Sequence, residues 1–155
     1  MMLAYRLVRL IETHSDALAA GLLAKVQHSP LLGDYHKVPP QELKQRVYEI
    51  YRHLGDWLLS KSDEDIRTRY VEIGARRAAQ HVPLSQLNWT IILTKENLWE
   101  FLQNESILER PTEVFGELEM LQMLDQFFDR AIYYGAVGYE KYREEHSAAK
   151  QSVAG

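Results

Sequence analysis

An all-α bundle of about five helices is the fold class this sequence predicts, on three observations. Apolar residues recur at spacings of three and four almost throughout the 155 residues, and no stretch between turn signals alternates with a period of two. Proline and glycine punctuate those periodic stretches at Pro30, Gly33, Pro39-Pro40, Pro83 and Pro111, where helices stop and start. The chain is also the size of about one domain, is 46% hydrophobic, and has no repeat, low-complexity tract or linker to divide it.

The first helix is expected from Met2 to Gln27, with Leu3, Leu7, Leu10, His14, Leu18 and Gly21 on one stripe. A loop from Ser29 to Pro39 follows, and Pro40 suits the first position of the second helix, where no amide hydrogen is needed. That helix buries Leu43, Val47, Ile50, Leu54 and Trp57. Ser62 is placed to cap a third helix, with Asp65 three residues on and Asp63 and Glu64 at the positive end of its dipole. This helix ends near Gln80, and His81-Val82-Pro83 turns the chain into a fourth, Leu84 to Asn104. Its apolar residues cover several sides (Leu87, Ile91, Leu98 and Phe101; Ile92 and Trp99; Trp89 and Leu93), which predicts a central position. After Arg110-Pro111, Thr112 caps a fifth helix running to about Glu145. Residues 1–146 thus form the helical domain, and SAAKQSVAG, residues 147–155, a flexible tail.

Composition removes several function classes. No cysteine is present, which excludes disulfides, thiol nucleophiles and zinc ribbons and suits a reducing cytoplasm. The N-terminus mixes Arg6, Arg9 and Glu12 with apolar residues and lacks the layout of a secretory signal. No run approaches the roughly 20 apolar residues of a membrane span, so a soluble protein without membrane contact is expected. A net charge of −4 with scattered Lys and Arg argues against nucleic acid as a partner. None of the six histidines has a glutamate three positions before it, as a di-iron bundle requires. Nucleophile elbows, glycine-rich phosphate loops and HExxH are missing too. No cofactor and no enzymatic activity are expected.

Three polar residues interrupt the apolar stripes. Asp125 shares the register of Val114, Leu118, Leu121, Phe128 and Ile132, and Arg77 continues Ile66, Tyr70 and Ile73. A carboxylate buried alone is too costly, and a guanidinium fork satisfies both its oxygens, so the two are expected to pair as a structural ion pair or, alternatively, to leave Arg77 reading a small anion. His14 is the third, read as a hydrogen-bonded core residue ahead of a haem ligand. Trp89, Trp99 and Phe101, with Tyr133, Tyr134 and Tyr139, form either ordinary core and dimer interface or the lining of a cavity for an apolar or planar ligand. Gly135 and Gly138 predict close approach by another helix, which a second subunit could supply.

The stretch YVEIGARRAAQHVPLSQLNWTIILTKENLWEFL, Tyr70 to Leu102, joins a Gly-x-Arg-Arg run to Val-Pro-Leu and a closing Leu-Trp-x-Phe-Leu. It resembles the N-terminal domain of the RsbT co-antagonist (RsbRD) family. FFDRAIYYGAVGYEKY, Phe127 to Tyr142, is similar to that family's final helix, and RLIETHSDALAAGLLAKVQHSPLL with ELKQRVYEIYRHLGDWLL to its opening, so about residues 8–143 are spanned. The resemblance implies an all-helical sensory domain of bacterial stress-response and two-component signalling proteins, without chemistry of its own, preceding an output domain. Related stressosome regulators use a globin-like fold without haem, and such a fold is one form this bundle could take. The expected function is a signal-input module acting on a protein partner, homodimeric through its last helix, with a small-molecule ligand as an option. The alternatives are a haem- or tetrapyrrole-binding globin-like sensor using His14, and a purely structural dimerisation domain.

Overall fold

The computed structural model describes residues 2–60, 63–104 and 114–154. Six α-helices are formed among them: α1 Met2–Thr13, α2 Ser15–His28, α3 Pro40–Ser60, α4 Asp63–Ala79, α5 Leu84–Asn104 and α6 Val114–Ala154, with a 3-10 segment at Gly33–Lys37. No strand occurs among the described residues. The caps expected at Ser62 and Thr112, and the side chains of Val114, Leu118 and Leu121, lie outside what is described.

Where one helix was expected from Met2 to Gln27, His14 divides it in two. Its backbone, at φ −109° and ψ 19°, leaves the helical region, although His14 N–H still reaches the Leu10 carbonyl at 3.0 Å. That carbonyl also receives the His14 ring Nδ1 at 3.0 Å. A side chain entering the backbone ladder is a standard cause of a kink. The break lets Leu7, Val8 and Ile11 of α1 and Leu18, Ala19, Leu22 and Val26 of α2 all reach the core.

The core is continuous from α1 to α6. Leu54 and Trp57 of α3, Ile66 and Tyr70 of α4, Leu98 of α5 and Leu124, Phe127 and Phe128 of α6 are all buried. In α3, Tyr51 takes a core position that the sequence reading gave to Ile50, which is only half-buried. Aromatic rings meet edge to face, Tyr70 with Phe127 at 6.0 Å and Phe127 with Phe128 at 5.2 Å between centroids. Helix α5 packs on α2, α4 and α6, matching the central place its apolar circumference predicts.

The closest helix pair is α4 with α6, and glycine is the reason. A methyl group on Gly74 would lie 1.9 Å from the Gly135 carbonyl oxygen, and one on Gly138 would lie 1.9 Å from that of Val71. The helix approaching Gly135 and Gly138 is therefore α4 of the same chain, not one from a second subunit. Asp63, at the start of α4, adds a clasp: it accepts from the Tyr134 hydroxyl at 2.8 Å and pairs with Arg130 at 2.7 Å.

α4 ends in a Schellman turn. Val82 N–H donates to the Arg77 carbonyl at 3.1 Å and His81 N–H to that of Ala78 at 3.0 Å. The residue after the cap is His81 at φ 60°, among the described residues the one non-glycine with positive φ. Glycine is usual there, and a side chain in this conformation costs about 1 kcal/mol. Tyr139 of α6 fastens the turn by donating its hydroxyl to the Val82 carbonyl at 2.6 Å. Beyond Tyr142 the residues of α6 from Arg143 to Ser147 are exposed, and the helix continues to Ala154 where a flexible tail was expected.

Candidate functional site

Arg77 is 2% exposed, and its partner is Glu42, not Asp125. Nη1 lies 3.0 Å from Glu42 Oε1 and 2.8 Å from Gln80 Oε1, and the guanidinium sits 5.8 Å from the centroid of the Tyr35 ring. Gln80 returns its amide to both Glu42 oxygens at 3.3 and 3.2 Å, and Arg76 grips the same carboxylate through Nε and Nη2. Asp125 is about half exposed and pairs with Lys95 at 3.1 Å. The expected pairing fails because register places a residue on a helix face without saying which end of a neighbouring helix it meets. Arg77 is in the last turn of α4, and the first turn of α3 carries Glu42 there.

The hydrogen bonds from Arg76 do most to hold the Glu42 carboxyl down at about 2; burial opposes them, and the hydrogen bond and charge of Arg77 add to the lowering. Burial pushes the Tyr35 hydroxyl up, with the charge of Arg77 acting the other way. The network ties the 3-10 segment, α3 and α4 together. The Arg77 Nε has no partner among the described residues, but Nη1 is held by both Glu42 and Gln80, which favours a structural ion pair over an anion site.

Beside this network lies a cleft of about 400 Å³ between the end of α2, the 3-10 segment and the start of α3. Leu23, Val26, Leu32, Tyr35, Val38 and Leu43 give it apolar walls, and Gln27, Ser29 and His36 supply polar groups. A second cleft, of about 480 Å³, lies between the α4–α5 turn and α6. A third, of about 360 Å³, opens at the α1–α2 break beside Tyr48 and Tyr51. None of the three is lined by Trp89, Trp99 or Tyr133. Trp89 and Trp99 are half-buried on α5, while Tyr133 is 65% exposed on α6. His14 is half-buried, with its Nδ1 on the Leu10 carbonyl and its ring 5.2 Å from that of Phe101. These contacts favour the structural reading of His14. No group of three or more His, Asp or Glu side chains able to hold a metal ion occurs among the described residues.

The sequence reading missed Asn97, the central polar residue of the core. Its Nδ2 donates to the Leu18 carbonyl at 3.0 Å and to the Tyr51 hydroxyl at 2.9 Å, and Oδ1 accepts from Lys25 at 2.7 Å. One side chain thus joins α2, α3 and α5. Burial pushes the Tyr51 hydroxyl up to about 12, so it stays a neutral partner. A signal was present: Thr90, Thr94 and Asn97 follow one another at spacings of four and three within an apolar helix. All three are buried, and the threonine hydroxyls turn back to the carbonyls of Gln86 and Thr90 at 2.9 and 2.8 Å.

Comparison with curated proteins found no match, and neither did comparison with solved structures. Among protein families, the chain matches the RsbT co-antagonist protein rsbRD N-terminal domain over residues 12–154. That family works in stress signalling through protein–protein contacts and is not known for enzymatic activity. No helix among the described residues is long and apolar enough to cross a membrane. With its match running from the end of α1 to the last turn of α6, the chain belongs to the RsbRD N-terminal domain family of stress-signalling regulatory domains.

Proposed function

We propose that this chain is a non-enzymatic signal-input domain that changes the activity of a protein partner through α6. The observation that carries this reading is the division of α6 into two parts. Its middle is locked to α4 at Gly74, Gly135 and Gly138, and the residues from Arg143 to Ser147 beyond it are exposed. A helix held along its middle and exposed beyond it converts a change in bundle packing into a change at a partner. A ligand can drive such a change only through different affinities for two arrangements. The apolar cleft beside Tyr35 is the place for a small apolar ligand, since it touches the network that joins α3 to α4. In this reading the domain works in the cytoplasm.

We also propose a homodimer through α6. Tyr133 is an exposed aromatic on that helix, with Ala136 and Val137 half-buried one turn on, a pattern suited to a second copy. Hydrogen exchange of Phe127 to Tyr142, with and without a partner protein, tests the main reading. Protection that changes on binding supports it, and exchange that is identical in both states overturns it. Light scattering tests the dimer, which a mass of 18.1 kDa at high concentration would refute.

A further inference from the structure

We propose that the cleft between the α4–α5 turn and the emerging end of α6 binds a small phosphomonoester. His81 comes from the turn, and Arg143 and His146 from α6. Tyr139, Tyr142 and Pro83 form its less polar walls, and no carboxylate is among the lining residues. In a chain of net charge −4, a cleft lined by three basic side chains and no acidic one is a concentration of positive character. Lys37 donates to the His81 carbonyl at 3.1 Å and is itself paired with Asp34 at 2.9 Å, and Glu140, Glu144 and Glu145 neighbour Arg143 and His146 along α6 without lining the cleft.

Two further details indicate a ligand. His81 holds the left-handed position that glycine would occupy more easily, so the sequence keeps an imidazole at the cleft against a backbone preference. His146 is fixed in place, its Nδ1 donating to the Tyr142 carbonyl at 2.9 Å and its ring stacked on that of Tyr142 at 3.7 Å. Nε2 is left as the nitrogen available to a bound molecule. A guanidinium fork meets phosphate oxygens in pairs. A phosphate ester offers three outer oxygens where a carboxylate offers two, and its singly protonated form also offers a P–O–H group to the Nε2 of His146, which is an acceptor once Nδ1 donates to the Tyr142 carbonyl. The cleft, at about 480 Å³, also exceeds a bare phosphate and leaves room for an organic group against Tyr142 and Pro83. A bound ester would tie the turn to α6 where the helix leaves the bundle. That consequence rests on the reading of α6 as the output element, but the binding does not.

The test is a titration of the full chain with phenyl phosphate, inorganic phosphate and benzoate, following the His81 and His146 ring signals by NMR. Saturable shifts are expected, tightest for phenyl phosphate. Arg143→Ala should weaken binding at least tenfold, and His81→Gly at least fivefold without lowering the melting temperature, because glycine accepts the same φ. Shifts that never saturate, affinities unchanged in both variants, or benzoate binding as tightly as phenyl phosphate would overturn the proposal. Hydrogen exchange of residues 143–147 is followed in the same samples. Saturation with slowed exchange supports both the site and its link to α6, whereas saturation with unchanged exchange upholds the site and overturns the link.

Discussion

Gly74 lies against Gly135 so closely that the carbonyl oxygen of one occupies the space a methyl group on the other would need. A backbone oxygen cannot rotate aside as a side chain can, so any larger residue at Gly74 must push α4 and α6 apart. The same holds for Gly138 against Val71. Gly135 differs, because a methyl there would meet only the tips of Ile91 and Leu87, at 3.7 Å.

Gly74→Ala and Gly138→Ala should therefore each destabilise the fold by about 3 kcal/mol through overpacking. Gly135→Ala should be neutral or stabilising by up to about 1 kcal/mol, from the better helix propensity of alanine. Urea denaturation of the three variants checks the contrast. Equal losses at all three positions would mean that the crossing is not as described.

Glu42→Ala should cost about 3 kcal/mol, because it leaves the guanidinium of Arg77 buried without its carboxylate. Asp125→Ala, by contrast, removes a half-exposed pair with Lys95 and should cost less than about 1 kcal/mol. Chemical denaturation of both variants at neutral pH separates the two cases.

Acid should act through the same glutamate. Its carboxyl is held at about 2 in the folded chain, below an ordinary value of 4.5. A depressed value means that its contribution is complete above pH 4.5 and is lost as the pH falls towards 2. The stability of Glu42→Gln should thus depend less on pH over that interval than that of the unaltered chain. Parallel acid-limb curves for the two would count against the network.

Asn97→Ala should cost about 2 kcal/mol, since it strands the Tyr51 hydroxyl away from water and takes a second donor from the Leu18 carbonyl. Adding Tyr51→Phe to it should restore part of the loss by removing one stranded group. A double-mutant cycle measured by thermal unfolding gives that coupling, and strict additivity would show that the two side chains do not interact.

The helices were legible in the sequence because each carries its own period and its own stops. Pro40 opens α3 where its missing amide hydrogen is harmless, and α5 runs from Leu84 to Asn104 as its apolar positions predict. Arg77 was legible as buried because three apolar residues precede it on the same face. Its partner was not, since the distance from Glu42 to Arg77 depends on how α3 and α4 cross, and no local pattern encodes that. Gln80, one turn after Arg77 on the same face, was within reach of spacing alone. His14 was read as a core position on the stripe of one continuous helix, whereas it is half-buried and divides that helix. That its ring would enter the backbone ladder depends on a side-chain rotamer, which periodicity does not carry. Gly135 and Gly138 announced a close neighbour, but an intrachain helix and one from a second copy leave the same trace in a sequence.

Helix α6 has 41 residues and is about 60 Å long at 1.5 Å per residue. Its glycine contacts with α4 act as a fulcrum. From Gly138 to Ala154 the axis continues for about 24 Å, so a tilt of about 5° at the crossing moves the far end by about 2 Å. A displacement of a few tenths of an ångström near the pivot, too slight to disturb the packed interior, would arrive at the tip several times larger. If α6 is the output element, as proposed, the crossing that fixes the bundle so tightly also sets the mechanical gain with which small internal movements are delivered outside it.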